Sequence, residues 1–527
     1  MSAFTRRSFL ARSAVGAAGA SALVSSPSAR GASRIPLVRS EERVGVIGSG
    51  FGGGVSALRL AQAGVPVLVL ERGKRWPTGP NANTFPTIEH PDKRMLWYDS
   101  NPNLYGKTYL LPRYVGLIEA VVGDHMTALC AAGVGGGSLV YQGMTLQPAE
   151  DVFNSVLPEA LDYARMSAIH YPRVAKMLQV AVAPDELIAD PAYKAPRVFA
   201  RNAQRAGYSV EKIPMPIDWN YALAELRGEM KRSYTNSEGS LGVNNGGKHS
   251  VDVTYLAQAE QTGLVTVAPM HHVTGVRRDK SGKWVVAVDH TDQNGRVIEQ
   301  KLITTKTLIM AAGSLNTTQL LVSAAARGDI PDMPDGLGEG WGTNADRIYV
   351  WEDLADDFGS HQGGPVIYGS KEWADPSIAN TIIQASLPPL GGAARHTTML
   401  VGFGVSAARG RFVYDPKKGR AMLQWPKNGD ALVHGRIGQR VRKVAGKVGG
   451  LLDTNLVAPS TWHALGGANM GTVCDLEGRV QGQPGLYVLD GALIPGSTAA
   501  CNPSMTIAAV AERAMDDIVR NDVGSVI

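Results

Sequence analysis

At 527 residues, 44% apolar and 19% charged, the chain has the composition of a folded globular protein, which excludes intrinsic disorder as its default state. A net charge of +5 is small for this length and excludes an electrostatic nucleic-acid footprint. Three cysteines, Cys130, Cys474 and Cys501, permit at most one internal disulfide, and no Cys/His spacing suggests zinc.

The chain begins with Thr5-Arg6-Arg7-Ser8-Phe9-Leu10, followed by a small-residue apolar run over 13–24 and a Ser/Ala-rich stretch to Ala32. A run of about 12 residues is too short to span a bilayer and fits the middle of an export leader. The paired arginines resemble a twin-arginine signal, which exports proteins already folded. The expectation is a leader over 1–32, cleaved between 29 and 33, and a secreted, cell-surface or periplasmic protein.

Residues 43–71 form the first structured unit. A buried-strand pattern at 44–47 runs into Gly48-Ser49-Gly50-Phe51-Gly52-Gly53, a helix continues over 55–63, and a second apolar strand at 67–70 ends in Glu71. Gly48 permits the tight turn, Gly50 lets backbone approach a pyrophosphate, and Gly53 lets helix and strand pack closely. The helix amino terminus offers unpaired N–H groups and a positive dipole to the phosphates. Glu71 stands at the offset expected of an acid that binds a ribose 2′-hydroxyl. The unit predicts a dinucleotide site, for FAD or NAD.

Residues 76–103 read as loop, and 109–122 is apolar without a clean period, as in a lid or strand. A second glycine cluster, Gly133-Val134-Gly135-Gly136-Gly137-Ser138, is flanked by apolar residues and predicts backbone laid against a cofactor. Helical patterns follow over 152–187, 196–206, 223–230 and 250–261, with 210–218 extended. Strands are predicted at 264–267, 272–276 and 284–288, then a hairpin turn at 292–295 and a return over 296–303. A separate buried strand at 307–310 leads through Ala312-Gly313-Ser314 into a helix to Leu321. Further strands are predicted at 348–351, 381–385, 397–405 and 410–414. A helix over 432–448 reads as carrying a solvated basic face without chemistry. Glycine turns at 463–467 and 486–491 precede Cys501-Asn502-Pro503-Ser504-Met505, where Asn502 is a good helix cap and Pro503 a good first residue. Ile507, Val510, Ala511, Ala514, Met515 and Ile518 then make one apolar stripe. The separated glycine segments suit FAD lying extended through a domain better than NAD.

Taken together, these motifs resemble the glucose–methanol–choline (GMC) family of flavin oxidoreductases, and within it the cholesterol-oxidase branch with non-covalent FAD. The resemblance runs from about 43 to 519. It is carried by Gly48–Gly53 with Glu71, Pro91-Asp92-Lys93-Arg94 with Trp97, residues 133–140, Asn244-Asn245-Gly246, Asp252 with Thr254-Tyr255-Leu256, and Ala312-Gly313-Ser314. Gly338-Glu339-Gly340-Trp341-Gly342, His463 with Leu465-Gly466-Gly467, Asp490-Gly491, Ile494-Pro495-Gly496 and Asn502-Pro503 complete it.

The resemblance implies that His463 and Asn502 form the active pair facing the flavin. It also implies cofactor contacts from Gly48, Ser49, Gly50, Phe51, Gly52, Gly53, Glu71, Gly133, Gly135, Gly136, Gly137, Ser138, Gly313, Asp490, Asn502, Pro503 and Met505. Histidine suits the removal of an alcohol proton near neutral pH. The branch uses a glutamate to move a ring double bond, and the matching position here is Gln384, whose amide cannot act as a carboxylate base. Tyr141 and Gln142 also replace smaller residues. No histidine lies within 133–144, where some relatives attach flavin covalently.

The expected fold class is α/β: a Rossmann-like FAD-binding domain built from 41–80, 247–345 and 475–527, with an α+β substrate domain built from 81–246 and 346–474. The expected function is an exported, monomeric FAD alcohol oxidase taking hydride from a hydrophobic secondary alcohol, sterol-like, with O2 as acceptor, weak isomerase activity and transient contact with a membrane or lipid carrying the substrate. A dehydrogenase of the same family, acting on a terpenoid or other non-sterol alcohol with a quinone or protein acceptor, is the alternative.

Overall fold

The computed structural model describes residues 35–104, 107–388, 395–447 and 449–527, so the expected leader lies outside the described residues. Strand β1 (Leu37–Ile47) is exposed over its first half and buried from Val44 onward. It lies parallel to β2 (Val67–Leu70) on one side and to β3 (Val297–Met310) on the other. Val265–Ala268 extends this sheet beyond β2, and Leu486–Val488 pairs with the end of β3, both in parallel. Trp284–Thr291 and His271–Arg278 add an antiparallel margin.

The strands expected separately at 296–303 and 307–310 are one strand, β3. Its first half alternates between exposed and covered positions while it pairs with Trp284–Thr291. Its last four residues are buried on both faces. That change in burial, within one continuous backbone, is why an apolar-run reading divides it.

Helix α1 (Phe51–Gln62) begins directly on the glycine fingerprint, four residues before the expected start. It packs against the helical segment Asp252–Leu256 and against the last helix of the chain. Helix α2 (Gly313–Ala326) follows β3 by the same strand–turn–helix logic. The helix expected at 223–230 is Trp219–Leu226 instead, because Asp218 caps it by accepting the Asn220 N–H.

A second sheet is antiparallel throughout. Its order is Gly450–Asp453, Arg347–Glu352, β5 (Thr397–Gly404), β4 (Asn380–Ala385), Tyr368–Glu372 and the short Glu211–Lys212, with β4 named for preceding β5 in the chain. One face carries Ile382 and Leu400 into a core with Phe199, Trp351, Ile437 and Val441. The other carries Ile383, Ala385, Val401 and Phe403 toward Met144, Met215 and Cys501.

Helix α3 (Ala431–Ala445) covers the first of these faces; Arg442 and Lys443 lie exposed on its basic face as expected, and Arg440 alone departs from it. Arg440 is fully buried, with Nη1 donating to Asn380 Oδ1 at 2.6 Å and Nη2 to Ser370 Oγ at 2.7 Å. Its guanidinium ties the helix to two strands rather than facing water.

Helix α4 (Pro503–Asn521) ends the chain, buried along the expected stripe except for the half-buried Ile507. None of the described helices is long and apolar enough to cross a membrane. The three cysteines are free thiols.

Candidate active site

The two glycine clusters meet. Gly48 takes φ +98° and donates its N–H to Leu70 O at 2.8 Å, which folds the chain off β1. Gly136 faces Gly50 so closely that a Cβ on Gly136 would stand 2.8 Å from Gly50 Cα. Ser49 binds them together: its Oγ donates to Glu71 Oε2 at 2.6 Å and accepts the Gly135 N–H at 3.1 Å. Glu71 is buried and also accepts N–H groups from Gly73 at 2.8 Å and Gly133 at 3.3 Å. Ser138 closes the cluster, donating Oγ to Gly135 O at 2.7 Å and accepting the Val251 N–H at 2.9 Å. Beneath it, the buried Lys248 donates Nζ to the carbonyls of Leu139 and Tyr141, and burial pushes its ammonium down to about 7.

This cradle fits a dinucleotide on its own chemistry. The α1 cap is Gly50, with no side chain to satisfy the first N–H groups and no acid in the first turn. Those N–H donors are left for an anion. Gly137 borders open space, whereas a Cβ on Gly52 would reach within 1.6 Å of Leu489 O. Backbone 489–490 is thereby held against the fingerprint. Asp490 accepts from Gly313 N at 2.8 Å and from Thr317 Oγ1, and burial raises its carboxyl to about 6. Met505 and Phe51 are buried in the same core. The predicted glycines, Ser49, Glu71 and Ser138 thus form one cradle, and Gly313 and Asp490 join it through Leu489. Thr317 was not anticipated.

The reactive end lies where α4 begins. Asn502 caps the helix: its Oδ1 accepts from Ser504 N at 3.1 Å and from Ser504 Oγ. With that oxygen engaged, the amide nitrogen must point the other way, and Nδ2 lies 3.4 Å from His463 Nε2. Pro503 occupies the first helical turn, and that turn is free of acids. The helix therefore turns an uncompensated positive end toward the pair.

His463 is held from behind by Asp346, which sequence reasoning missed. Its Nδ1 lies 2.7 Å from Asp346 Oδ1, and Asp346 Oδ2 also takes the N–H groups of Trp462 and His463 and the hydroxyl of Thr461. Phe403 packs edge-on against the imidazole, with ring centres 5.9 Å apart. Asp346 stands only four residues past the glycine-rich 338–342 segment, yet 117 residues before its partner, so no local pattern connects them.

Gln384 does not join this pair. On β4 the side chains at 383 and 385 turn to the face that holds Phe403, so Gln384 turns to the opposite one. There its Nε2 donates to Thr398 Oγ1 at 3.0 Å and Ser386 Oγ at 3.3 Å. Strand alternation, invisible to motif matching, overturns its expected catalytic place. Tyr141 sits edge-on to Phe51 at 5.6 Å, beside the cradle.

A strand–glycine–helix cradle joined to a histidine–asparagine pair defines a dinucleotide-dependent oxidoreductase. Two family models for GMC oxidoreductases match residues 110–333 and 448–511, together more than half of the chain. The chain belongs to the GMC oxidoreductase family, whose enzymes use FAD and act on CH–OH groups. It is 28% identical to a cholesterol oxidase of Mycobacterium tuberculosis, with 89% of each chain covered. It is 26% identical to one of Acinetobacter baumannii, with 90% of this chain and 93% of the relative covered. A long-chain-alcohol oxidase of Arabidopsis thaliana is 26% identical over 54% of this chain and 34% of its own length. Among solved structures, pyridoxine 4-oxidase from Mesorbium loti superposes with a TM-score of 0.60 at 13% identity, over 90% of this chain and 99% of that one, which supports the fold.

Proposed function

We propose that this chain is an exported FAD-dependent oxidase of hydrophobic secondary alcohols, with a sterol-like 3β-hydroxysteroid as substrate and O2 as final acceptor, yielding ketone and hydrogen peroxide. FAD, when bound, supplies the acceptor for the hydride that leaves the carbinol carbon. The rest falls to the chain. His463 Nε2 takes the hydroxyl proton, and Asn502 Nδ2 holds the alcohol oxygen so that its lone pairs and its proton face the right partners. The positive end of α4 favours negative charge gathering nearby. The observation that carries this reading is the 3.4 Å approach of His463 Nε2 and Asn502 Nδ2, close enough that one alcohol oxygen seated beside the pair reaches both.

An apolar substrate is supported by the wall beside the pair, where Ile383, Ala385, Val401, Phe403 and Met144 gather. No carboxylate reaches that wall from β4, so the conjugated ketone forms slowly or not at all. FAD is held without a covalent bond, since no histidine stands in 133–144. We assign cofactor binding to 41–80, 247–345 and 475–527 and substrate binding to 81–246 and 346–474.

The test is anaerobic flavin reduction by the purified protein across sterols, terpenoid alcohols and aryl alcohols. A 3β-hydroxysteroid bleaches the flavin and, in air, releases peroxide and a 5-en-3-one. Failure of every hydrophobic secondary alcohol to bleach it overturns the assignment. Bleaching without peroxide moves the enzyme to a dehydrogenase, and rapid 4-en-3-one formation removes the isomerase argument.

A further inference from the structure

The segment 343–346 touches His463 and the residue that precedes Asn502. Asn344 and Ala345 take left-handed φ values of 51° and 53°, a conformation that costs energy in non-glycine residues and concentrates where surrounding structure requires it. Asn344 Nδ2 donates to Cys501 O at 2.7 Å, and its Oδ1 accepts the Thr498 N–H at 3.1 Å, which pins the chain just before Asn502. Ala499 and Ala500 in that pinned stretch are left-handed as well, both at φ 59°. Two residues on from Asn344, Asp346 pins 461–463.

We propose that Asp346 is a positioning residue that fixes which nitrogen of His463 is free to take the alcohol proton. This rests on the function proposed above. A carboxylate has only acceptors, so the ring nitrogen 2.7 Å from it must carry hydrogen. The neutral ring then leaves its lone pair on Nε2, the atom beside Asn502. Asp346 is itself immobile: its side chain is wholly buried, and Oδ2 already takes the Thr461 hydroxyl at 2.8 Å and the Trp462 and His463 N–H groups at 3.1 Å each.

Asparagine at 346 cannot reproduce this. Its single oxygen satisfies either the three donors from 461–463 or the imidazole, not both. With the three donors kept, its NH2 faces Nδ1, which must then accept, and the ring hydrogen moves to Nε2. The geometry survives while the base is lost.

Four proteins separate this from a merely structural carboxylate: native, Asp346→Asn, His463→Gln and the double variant. Each is loaded with FAD and mixed anaerobically with the most effective alcohol of the panel above. In the native background Asp346→Asn lowers the flavin-reduction rate by about 10²-fold or more, while flavin content and melting temperature hold. In the His463→Gln background the same change costs less than about threefold, because a residue acting through another has nothing left to position. Proton NMR gives a readout independent of turnover. The native protein shows a far-downfield imidazole N–H resonance, which both single variants lose. Losses that multiply in the double variant, or a native rate in Asp346→Asn, overturn the proposal. If Asp346→Asn does not retain FAD, Thr461→Val, which loosens the carboxylate by one donor, serves instead: a loss of about tenfold confined to the His463 background supports the proposal, and an equal loss in both refutes it. A His463→Gln protein with the native rate would remove the functional reading itself, while the downfield resonance would still report the pairing.

Discussion

Glu512 tests whether the cofactor helix and the active-site helix are locked to one another. It sits on α4 with no exposed side-chain surface, and its carboxylate accepts from Arg59 Nε at 2.7 Å, Arg59 Nη2 at 2.6 Å, Arg173 Nη1 at 3.0 Å and Tyr255 Oη at 2.9 Å. Arg59 lies on α1, so one carboxylate joins the helix that begins on the glycine fingerprint to the helix that begins at Asn502. Glu512→Gln removes the charge and leaves Arg173 with Asp516, 2.8 Å away, as its acidic partner, while Arg59 keeps its hydrogen bond to Gln62 Oε1 at 2.7 Å. Breaking a buried pair from one side costs about 3–5 kcal/mol. The side chains of Arg59 and Arg173 keep 18% and 31% exposure, so water recovers part of the loss and the lower bound, about 3 kcal/mol, applies. Unfolding entropy of about 2.1 cal/mol/K per residue amounts to roughly 1 kcal/mol/K over the stretch from Pro36 to Ile527. The melting temperature should therefore fall by about 3 °C. Calorimetry with FAD saturating in both proteins is the assay, because unequal loading would shift the midpoint by mass action. A fall of less than about 1 °C would refute the idea that this carboxylate carries the helix–helix contact.

Two other outcomes follow from the same geometry. Asn502→Asp keeps an acceptor for the Ser504 N–H but removes the donor to His463, whereas Asn502→Ala removes both. Flavin reduction by substrate should fall by about 10²-fold in each, and thermal denaturation should show an extra loss of about 1 kcal/mol for alanine alone. His170 is fully buried, with neither ring nitrogen hydrogen-bonded, and burial pushes it down to about 4. Its ordinary value is about 6.5, so the unfolded chain takes up a proton that the folded one refuses, and stability is lost as pH falls from about 6.5 to about 4. The loss approaches about 3 kcal/mol. Denaturant melts across that window should flatten in His170→Leu, and an unchanged slope would show that the ring is not kept neutral.

The cradle was legible because its requirements are local. Gly48 must turn, Gly52 and Gly136 must leave room for backbone, and α1 must begin uncapped, and each is written within a few residues of the others. The doubly buried ends of β1, β2 and β3 were legible as apolar runs for the same reason. The solvent-facing half of β1 was not, since residues 37–43 carry little apolar signal and become strand only by pairing with 300–305 of β3. Arg440 shows the opposite failure. A charge on an amphipathic helix reads as solvated until Ser370 and Asn380 arrive from distant strands to receive it. His463 and Asn502 were found by motif, but what gives His463 its direction is a carboxylate from across the chain. Gln384 completes the contrast. Matching by position put it where a base would stand, yet the two-residue period of β4 turns it away and offers Ile383 and Ala385 to the site. The residue types that can react were readable along the chain; which of them face one another was decided by the pleat of a sheet and by one strained turn at 344–345.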